Sequence, residues 1–365
     1  MSDFASRLKS LLFGSRDEQL SIPIMDGALK PNNALEEAPI LCERRGLEDL
    51  AVAADGELYA ACGPTIVRVG SDGVLTEVAR FERDVTALAA CPDGRLAAGL
   101  GDAIALDALR RDGPRIDTAA GQRLNAVNAI AAAPAGGLLI ADGSTIRPYA
   151  QWCYDLLEKG RTGRIVACGA DGRARNLAAG MEYAFGVLAE ADGQALAAET
   201  WRHQLVRVGA GAKAPALANI AGYPARMTRA AGGGFWLTVF AARTQLVEFV
   251  LCENDYRRDM MRTVEPRFWV APALSSGEDF REPLQGGSVK QMGILKPWAP
   301  PRSYGLVVRV GDDLIPKFSL HSRVGGRHHG VVAVAERGDE LFVLSKGAGR
   351  ILRLSVRQVS EGILG

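Results

Sequence analysis

The chain has 365 residues, 48% of them hydrophobic and 23% charged, and its net charge is +1. This composition can bury the core of one large domain, and it excludes a disordered chain. Without a block of basic residues it also excludes a nucleic-acid partner. Six cysteines without a C-x-x-C pair or a zinc-type spacing predict free thiols in a reducing, cytoplasmic setting.

Residues 1–20 predict a short amphipathic helix. Four apolar residues recur at helical spacing, with basic residues between them: Phe4, Leu8, Leu11 and Leu12. Gly14 then marks the end of the helix. The segment is too short and too often interrupted by charge to span a membrane. Two interpretations stay open: the helix packs on the body of the protein, or residues 1–14 make a peripheral contact with a membrane surface.

From residue 21 to residue 365 the chain repeats one pattern. Each copy has a short apolar run, an Asp-Gly or Gly-Gly turn and an alternating strand, followed by a second turn and strand. A unit of this kind cannot bury both faces of its sheet alone, and radial stacking of the units solves that. The pattern predicts an all-β chain forming one six-bladed β-propeller, closed or braced by the N-terminal segment. The copies lie at residues 48–81, 86–106, 128–149, 186–209, 227–240 and 331–356.

A long interruption follows the start of the fifth blade. Residues 241–303 begin with a stretch whose apolar residues indicate a helix, and they continue as a segment that contains proline, glycine and tryptophan. Long loops on a rigid scaffold are often functional. We therefore expect an ordered excursion over one end of the central channel, and this insertion is a candidate lid.

Residues 183–240 carry the most specific sequence signal. Four short segments stand out: YAFGV at 183–187, AAET at 197–200, GYPAR at 222–226 and GGFW at 233–236. They resemble segments of the strictosidine synthase-like branch of the six-bladed propeller superfamily, which also holds gluconolactonases and paraoxonases. In that branch three of them usually read F-A-N-G-V, V-A-E-T and G-Y-P-D-N-I. The resemblance implies the same propeller fold, with a small-molecule pocket at the mouth of the central channel.

The resemblance also implies the positions that would bind a divalent cation, commonly calcium. Glu48 and Asn128 stand at the first two positions. Phe185 stands at the third, and Ala225 followed by Arg226 at the fourth, where the family has Asn and Asp. Phenylalanine and alanine supply no oxygen ligand, and a guanidinium repels a cation. We therefore expect no metal and no other cofactor, with calcium disfavoured.

Three residues remain as candidates for catalysis. Glu48 either pairs with Arg226 across the channel or acts as an acid or base with a raised pKa. His328 and His329 are neighbours on a predicted strand, so at most one of them faces the channel, where it could act as a base. The alternative is that this histidine forms a hydrogen bond with the backbone of a neighbouring blade. Strictosidine synthases use a Glu on the last blade, and Val332 stands at that position. Their condensation reaction is therefore not expected.

Two functions stay open. The resemblance implies a hydrolase of esters or lactones, here metal-independent, with Glu48 and one histidine replacing the metal chemistry. The alternative is a non-catalytic propeller that binds an apolar or anionic small molecule or a partner loop. In both cases a set of residues is predicted to line the pocket: Asn128, Tyr183, Phe185, Tyr223 and Arg226.

Overall fold

Antiparallel sheets arranged around one axis make up the protein. The computed structural model describes residues 22–110, 112–134, 136–209, 212–283, 290–291, 294–295 and 302–364. Within these residues there are six four-stranded sheets, the blades of a propeller. The helix predicted at residues 1–20 lies outside the described residues. No helix in the described ranges is long and apolar enough to cross a membrane.

The first half of the ring contains blades 1 to 3. The strand β1 (Ile40–Glu43) precedes them and joins another blade. Blade 1 comprises β2 (Leu47–Val52), β3 (Leu58–Cys62), β4 (Thr65–Val69) and β5 (Leu75–Arg80). Blade 2 comprises β6 (Ala87–Ala90), β7 (Leu96–Gly99), β8 (Ile104–Ala105) and β9 (Arg115–Ile116). After a hairpin of β10 (Thr118–Ala119) and β11 (Gln122–Arg123), blade 3 comprises β12 (Val127–Ala132), β13 (Leu138–Asp142), β14 (Gly163–Cys168) and β15 (Ala174–Met181).

The second half contains blades 4 to 6. Blade 4 comprises β16 (Ala184–Ala189), β17 (Ala195–Glu199), β18 (Gln204–Gly209) and β19 (Ala212–Leu217). Blade 5 begins with β20 (Gly222–Arg229) and β21 (Phe235–Ala242). A hairpin of β22 (Lys290–Gln291) and β23 (Ile294–Leu295) follows, and then β24 (Gly305–Val310) and β25 (Pro316–Ser322) complete the blade. Blade 6 contains β26 (Val331–Arg337), β27 (Glu340–Ser345) and β28 (Arg350–Ser355).

The ring is closed by strands from the two ends of the chain. The early strand β1 pairs antiparallel with β28 and so becomes the fourth strand of blade 6. Asp-Gly turns join the strands within blades, and Gly56 and Gly94 there have φ angles of +83° and +85°, which glycine adopts without steric cost. The predicted six-bladed all-β propeller is confirmed.

Short helical segments connect or follow the strands. In the described part of the chain the α-helices are α1 (Trp152–Leu157), α2 (Gln245–Cys252), α3 (Asn254–Thr263) and α4 (Val356–Leu364). Single 3₁₀ turns occur at Gly27–Leu29, Tyr149–Gln151, Ala191–Gly193, Thr200–Arg202 and Pro266–Phe268. The insertion predicted at 241–303 lies between Ala242, the end of β21, and Gly305, the start of β24. It begins with α2 and α3, and the Thr244 side chain caps α2 by accepting the Val247 N–H at 3.3 Å.

Five of the six inner strands are irregular, and only β6 in blade 2 pairs without a shift of register. The register shifts in β2, β12, β16, β20 and β26, which with β6 surround the axis. A β-bulge leaves a residue outside the ladder and redirects its carbonyl and side chain. The shifts fall at Glu48, Asn128, Phe185–Gly186, Ala225–Arg226 and Val332. These are the positions at which the sequence places the candidate site.

Candidate functional site

The side chain of Arg226 lies on the axis of the ring. It leaves the inner strand of blade 5 and donates hydrogen bonds to main-chain carbonyls at the inner strands of other blades. Its bonds run from Nε to Asn128 at 3.0 Å, from Nη1 to Glu48 at 3.1 Å and Val332 at 3.4 Å, and from Nη2 to Thr86 at 2.6 Å. The ring of Phe185, from blade 4, lies 5.3 Å from Cζ. The guanidinium therefore contacts every blade.

Arg226 has a buried carboxylate partner in Asp49. The Nε atom lies 3.3 Å from Oδ2 of Asp49, and the two carboxylate oxygens also accept the N–H groups of Leu50 and Leu88, each at 2.8 Å. Burial raises the pKa of Asp49 to about 6, while Arg226 and the two N–H groups oppose that rise. At neutral pH the ionised carboxylate balances the guanidinium. The hypothesis of a Glu48–Arg226 ion pair is thus corrected: Arg226 donates to the main-chain oxygen of Glu48 and not to its carboxylate.

The Glu48 carboxylate has a different set of partners. Lys346 Nζ lies 2.6 Å from its Oε1, and the Tyr149 hydroxyl donates to the same oxygen. Burial, followed by the negative charge of Glu48, raises the pKa of Tyr149 well above its ordinary value, so the hydroxyl stays protonated. Lys346 Nζ also lies 3.4 Å from the Tyr149 oxygen. Glu48 is therefore part of a Glu–Tyr–Lys cluster, in which proton donors and an acceptor are already hydrogen-bonded.

The aromatic residues predicted to line a pocket pack against one another. Tyr183 stacks on Trp201 at 4.4 Å between ring centroids, and Phe185 and Tyr223 lie 6.0 and 5.5 Å from Phe240. Tyr183, Phe185 and Tyr223 are all buried. The space left beside them, called the axis void below, has a volume of about 20 Å³, enough for a single water molecule. A small-molecule ligand does not fit at the place predicted for it.

Asn128 is also committed to the framework. Its Nδ2 donates to the Ala184 carbonyl at 2.7 Å, and its Oδ1 accepts the Tyr183 hydroxyl at 3.3 Å. The side chain is fully buried. Asn128 therefore joins blades 3 and 4 through both atoms of its amide.

The residues at the axis do not fit a divalent cation. The oxygen atoms that face the axis are already bonded to the guanidinium of Arg226, which would repel a metal ion. Phe185 presents an aromatic ring, and Ala225 is a buried methyl group. Across the ranges that the structure describes, no three His, Cys, Asp or Glu side chains are grouped so that they could hold a metal.

A larger cavity, called the mouth cavity below, opens beside the axis between blade 6, blade 1 and the insertion. Its volume is about 550 Å³. Ser275, Ser276 and Glu278 of the insertion and the β27–β28 loop form parts of its wall. Charged side chains line it: Arg45, Arg327, Lys346, Arg350, Glu43 and Glu278. Lys346 also lines the axis void, so it separates the two spaces.

A chain of hydrogen-bonded side chains begins at the wall of the mouth cavity. Ser276 Oγ lies 2.6 Å from Ser303 Oγ, which lies 2.7 Å from His329 Nδ1, and His329 Nε2 lies 2.9 Å from the Arg323 carbonyl. A carbonyl can only accept, so Nε2 carries the hydrogen and Nδ1 of the neutral ring accepts from Ser303. The Ser303 hydrogen is then used, and Ser276 donates to Ser303. Burial lowers the pKa of His329, which keeps the ring neutral at pH 7.

The two candidate histidines differ in their surroundings. Both lie in the loop before β26, which begins at Val331, and not on the strand as predicted. Both are buried. His329 lines the mouth cavity, whereas the Nδ1 of His328 is buried without a hydrogen-bond partner in the described part of the chain. Of the pair, His329 has the arrangement of a base.

Sequence reasoning missed Ser276 and Ser303. They are 27 positions apart and belong to the irregular part of the insertion. No hydrolase motif surrounds either serine. Lys346 was missed as well, because a single lysine in a Gly-rich hairpin loop is a common surface feature. Only the folded chain brings these residues to one cavity.

Comparisons with known proteins agree with the fold. No protein-family model and no curated protein matches the sequence. Among solved structures, a proposed gluconolactonase is similar at 13% identity and a TM-score of 0.56, over 87% of this chain and 91% of that chain. The gluconolactonase XC5397 from Xanthomonas campestris has 13% identity and a TM-score of 0.54, over 87% and 88% of the two chains. A luciferin-regenerating enzyme has 14% identity and a TM-score of 0.53, over 88% and 94%. At such identities the likeness establishes the fold: the chain is a six-bladed propeller similar to gluconolactonase-like structures.

Proposed function

We propose that the protein is a metal-independent hydrolase of small esters or lactones, which works in the mouth cavity and not on the ring axis. The observation that carries this proposal is the hydrogen-bonded chain Ser276–Ser303–His329. The Arg323 carbonyl holds His329 in one tautomer, Ser303 donates to this base, and Ser276 donates to Ser303, so a proton can pass from Ser276 to His329 through Ser303. Ser276 is exposed, while Ser303 and His329 are buried. Ser276 and His329 both line the cavity, and the buried Ser303 connects them.

In the proposed reaction the Ser276 oxygen attacks the carbonyl carbon of the ester. Its proton passes to Ser303, whose own proton passes to Nδ1 of His329. The bond to the leaving oxygen then breaks, that oxygen takes up a proton through the same chain, and an acyl ester of Ser276 forms. Water attacks this ester by the same route and releases the acid. Lys346 and Arg45 on the cavity wall supply positive charge for the negative oxygen of the tetrahedral intermediate.

We also assign the chain to the strictosidine synthase-like branch. The positions of the resembling segments support this: YAFGV runs into β16, AAET closes β17, GYPAR opens β20 and GGFW runs into β21. Val332, at the position of the Glu in that branch, lines the axis void and supplies no carboxylate. The proposal is therefore hydrolysis and not the condensation reaction.

The test is a panel of nitrophenyl esters and lactones assayed in EDTA. Ser276→Ala should abolish turnover, and Ser303→Ala and His329→Gln should lower kcat by roughly 10²-fold or more. Ser275→Ala is the matched control, because it removes a neighbouring hydroxyl outside the hydrogen-bonded chain, and its kcat should be unchanged. Turnover that disappears in EDTA, or full activity of Ser276→Ala, would contradict the proposal.

A second candidate is non-catalytic binding of an anionic small molecule in the same cavity. Cationic side chains on its wall favour this: Arg45, Arg327, Lys346 and Arg350. Arg226 is not part of this site, because its N–H groups are bonded to main-chain carbonyls and lie beside Asp49. Titration calorimetry with small dicarboxylates measures this binding, and the affinity of the native protein is compared with that of Arg45→Ala. Tight binding without hydrolysis of any ester would favour this candidate over the hydrolase.

A peripheral membrane contact through residues 1–14 is a separate proposal, supported by the apolar spacing and the basic residues of this segment. Flotation with vesicles that contain anionic lipid tests it, with the full chain against a chain lacking residues 1–14. Equal recovery of the two with the vesicles would contradict the proposal.

A further inference from the structure

The main-chain carbonyls at the ring axis form a cage of hydrogen-bond acceptors. The oxygens of Glu48, Thr86, Asn128 and Val332 come from different blades, and each lies 2.6 to 3.4 Å from a guanidinium nitrogen of Arg226. Asp49 adds a carboxylate oxygen at 3.3 Å. Acceptors from several strands that converge on one point form a site for a cation. We call these oxygens the carbonyl cage.

The cage is built by the strands and not by one side chain. Glu48, Asn128 and Val332 are the residues at the bulges of β2, β12 and β26. A regular ladder uses its carbonyls between strands, whereas a bulge leaves one unpaired and free to turn inward. Buried carbonyls without a partner destabilise a fold. The Val332 carbonyl also accepts the Thr238 hydroxyl at 3.1 Å, so the requirement for a donor on the axis falls mainly on the Glu48 and Asn128 carbonyls.

A guanidinium fits the cage in shape, charge and number of donors. It is planar, permanently charged and carries five N–H groups. Carbonyl oxygens surround the Arg226 group on its edges, and the Phe185 ring lies 5.3 Å from Cζ in cation–π contact. Arg226 is only 6% exposed, so water does not take the place of these partners.

We propose that the ring axis is a cation-binding cage shaped for a planar guanidinium ion, which this chain fills with a tethered one, the side chain of Arg226. The tether makes the stability of the ring independent of any added ion. Shortening the side chain leaves the carbonyl oxygens and the Asp49 carboxylate in place, and the cage then binds a small guanidinium ion from solution. This proposal does not depend on hydrolase activity.

The experiment is chemical rescue of Arg226→Ala by millimolar methylguanidinium chloride, with Tm measured by calorimetry. The variant should unfold roughly 5–10 °C below the native protein, because a buried charge pair is broken. Methylguanidinium should raise its Tm by several degrees and saturate, while the Tm of the native protein should not rise. Sodium chloride at equal ionic strength is one control. Arg173→Ala is another, since its side chain is 91% exposed and its removal opens no cage.

A Tm of Arg226→Ala that does not respond to methylguanidinium would overturn the proposal. So would an equal rise with tetramethylammonium or calcium chloride, which lack a planar set of N–H donors. If Arg226→Ala does not fold, Arg226→Lys and Arg226→Met decide. The cage predicts a higher Tm for lysine, which keeps a cation, and an equal or higher Tm for methionine would overturn it.

Discussion

The ring axis and the mouth cavity lie side by side, and Lys346 belongs to the walls of both. At the axis the polar groups are bonded to one another, and the void that remains is about 20 Å³. The mouth cavity has about 550 Å³ and is lined by charged side chains and serine hydroxyls that face it. The polar residues at the axis thus hold the blades together. Space for a substrate exists beside the axis.

The two regions also differ in how their charges are paired. Arg226 and Asp49 form an ion pair whose side chains are 6% and 4% exposed. In the mouth cavity, Arg350 lies 2.9 Å from Glu43, whose side chain is 58% exposed. A buried pair is costly to break, whereas an exposed pair contributes little to stability. Substitutions at the axis should therefore change unfolding, and substitutions in the cavity should change ligand chemistry.

The strongest test of this contrast is Asp49→Ala. It leaves the Arg226 guanidinium without its carboxylate and the N–H groups of Leu50 and Leu88 without an acceptor. We expect a loss of about 3–5 kcal/mol in the free energy of unfolding, measured with urea. Asp49→Asn keeps an acceptor and should cost less. A loss below about 1 kcal/mol for Asp49→Ala would mean that the buried pair at the axis contributes no more than an exposed pair in the cavity.

A second test concerns the attachment of the insertion, which forms one wall of the cavity. Burial opposes ionisation of Glu248 in α2, but hydrogen bonds from His203 and Arg243 outweigh it and lower the pKa of Glu248 to about 2 from 4.5. A carboxyl with a lowered pKa stabilises the fold above pH 4.5, and this stabilisation, on the order of 3 kcal/mol, is lost as the pH falls towards 2.

Glu248→Gln should therefore be less stable than the native protein at pH 7 and should lose less stability on acidification. Urea unfolding at several pH values between 2 and 7 measures both effects. Glu265→Gln is the control, because Glu265 has a 62% exposed side chain paired with Arg267 at 2.8 Å. An acid dependence of Glu248→Gln equal to that of the native protein would contradict the anchoring role.

The fold could be predicted because its signal repeats. Turns such as Asp55-Gly56 and Asp93-Gly94 recur between apolar runs, and each turn is determined by residues close to it in the sequence. The ring multiplies one unit, so an error in one copy does not change the architecture. The long insertion has no period, and the meeting of Ser276 with Ser303 and His329 depends on how it folds back. No local pattern encodes that.

At the axis the positions could be predicted, but not the atoms. The resemblance led to Glu48, Asn128, Phe185, Arg226 and Val332, and all contact the centre of the ring. The prediction was that the side chains of these residues face the axis. In the structure, bulges turn the main-chain carbonyls of Glu48, Asn128 and Val332 towards Arg226. Whether a carbonyl or a side chain faces inward depends on the ladder register, which the residue types do not specify.

Lys346→Met tests the boundary between the two regions. It removes the cation that lies 2.6 Å from Glu48 and leaves the carboxylate to Tyr149. Because both charged side chains are partly exposed, we expect a loss of about 1 kcal/mol in the free energy of unfolding. Ester turnover in the mouth cavity should fall about tenfold or more, since a positive charge near the tetrahedral intermediate is lost. Lys346→Arg should restore most of the stability. Unchanged turnover in Lys346→Met would place the reaction away from this wall.

The smallest expected effect on stability belongs to Glu43→Gln. The Glu43 side chain is 58% exposed, so losing its bond to Arg350 should change the free energy of unfolding by less than about 0.5 kcal/mol. The same change removes negative charge from the cavity wall and leaves Arg350 without its partner. The KM of a carboxylate-bearing ester should then fall about two- to fivefold at low salt, the KM of a neutral ester should stay the same, and the difference should shrink at high salt. A large loss of stability without a change in KM would mean that the cavity, like the axis, serves the framework.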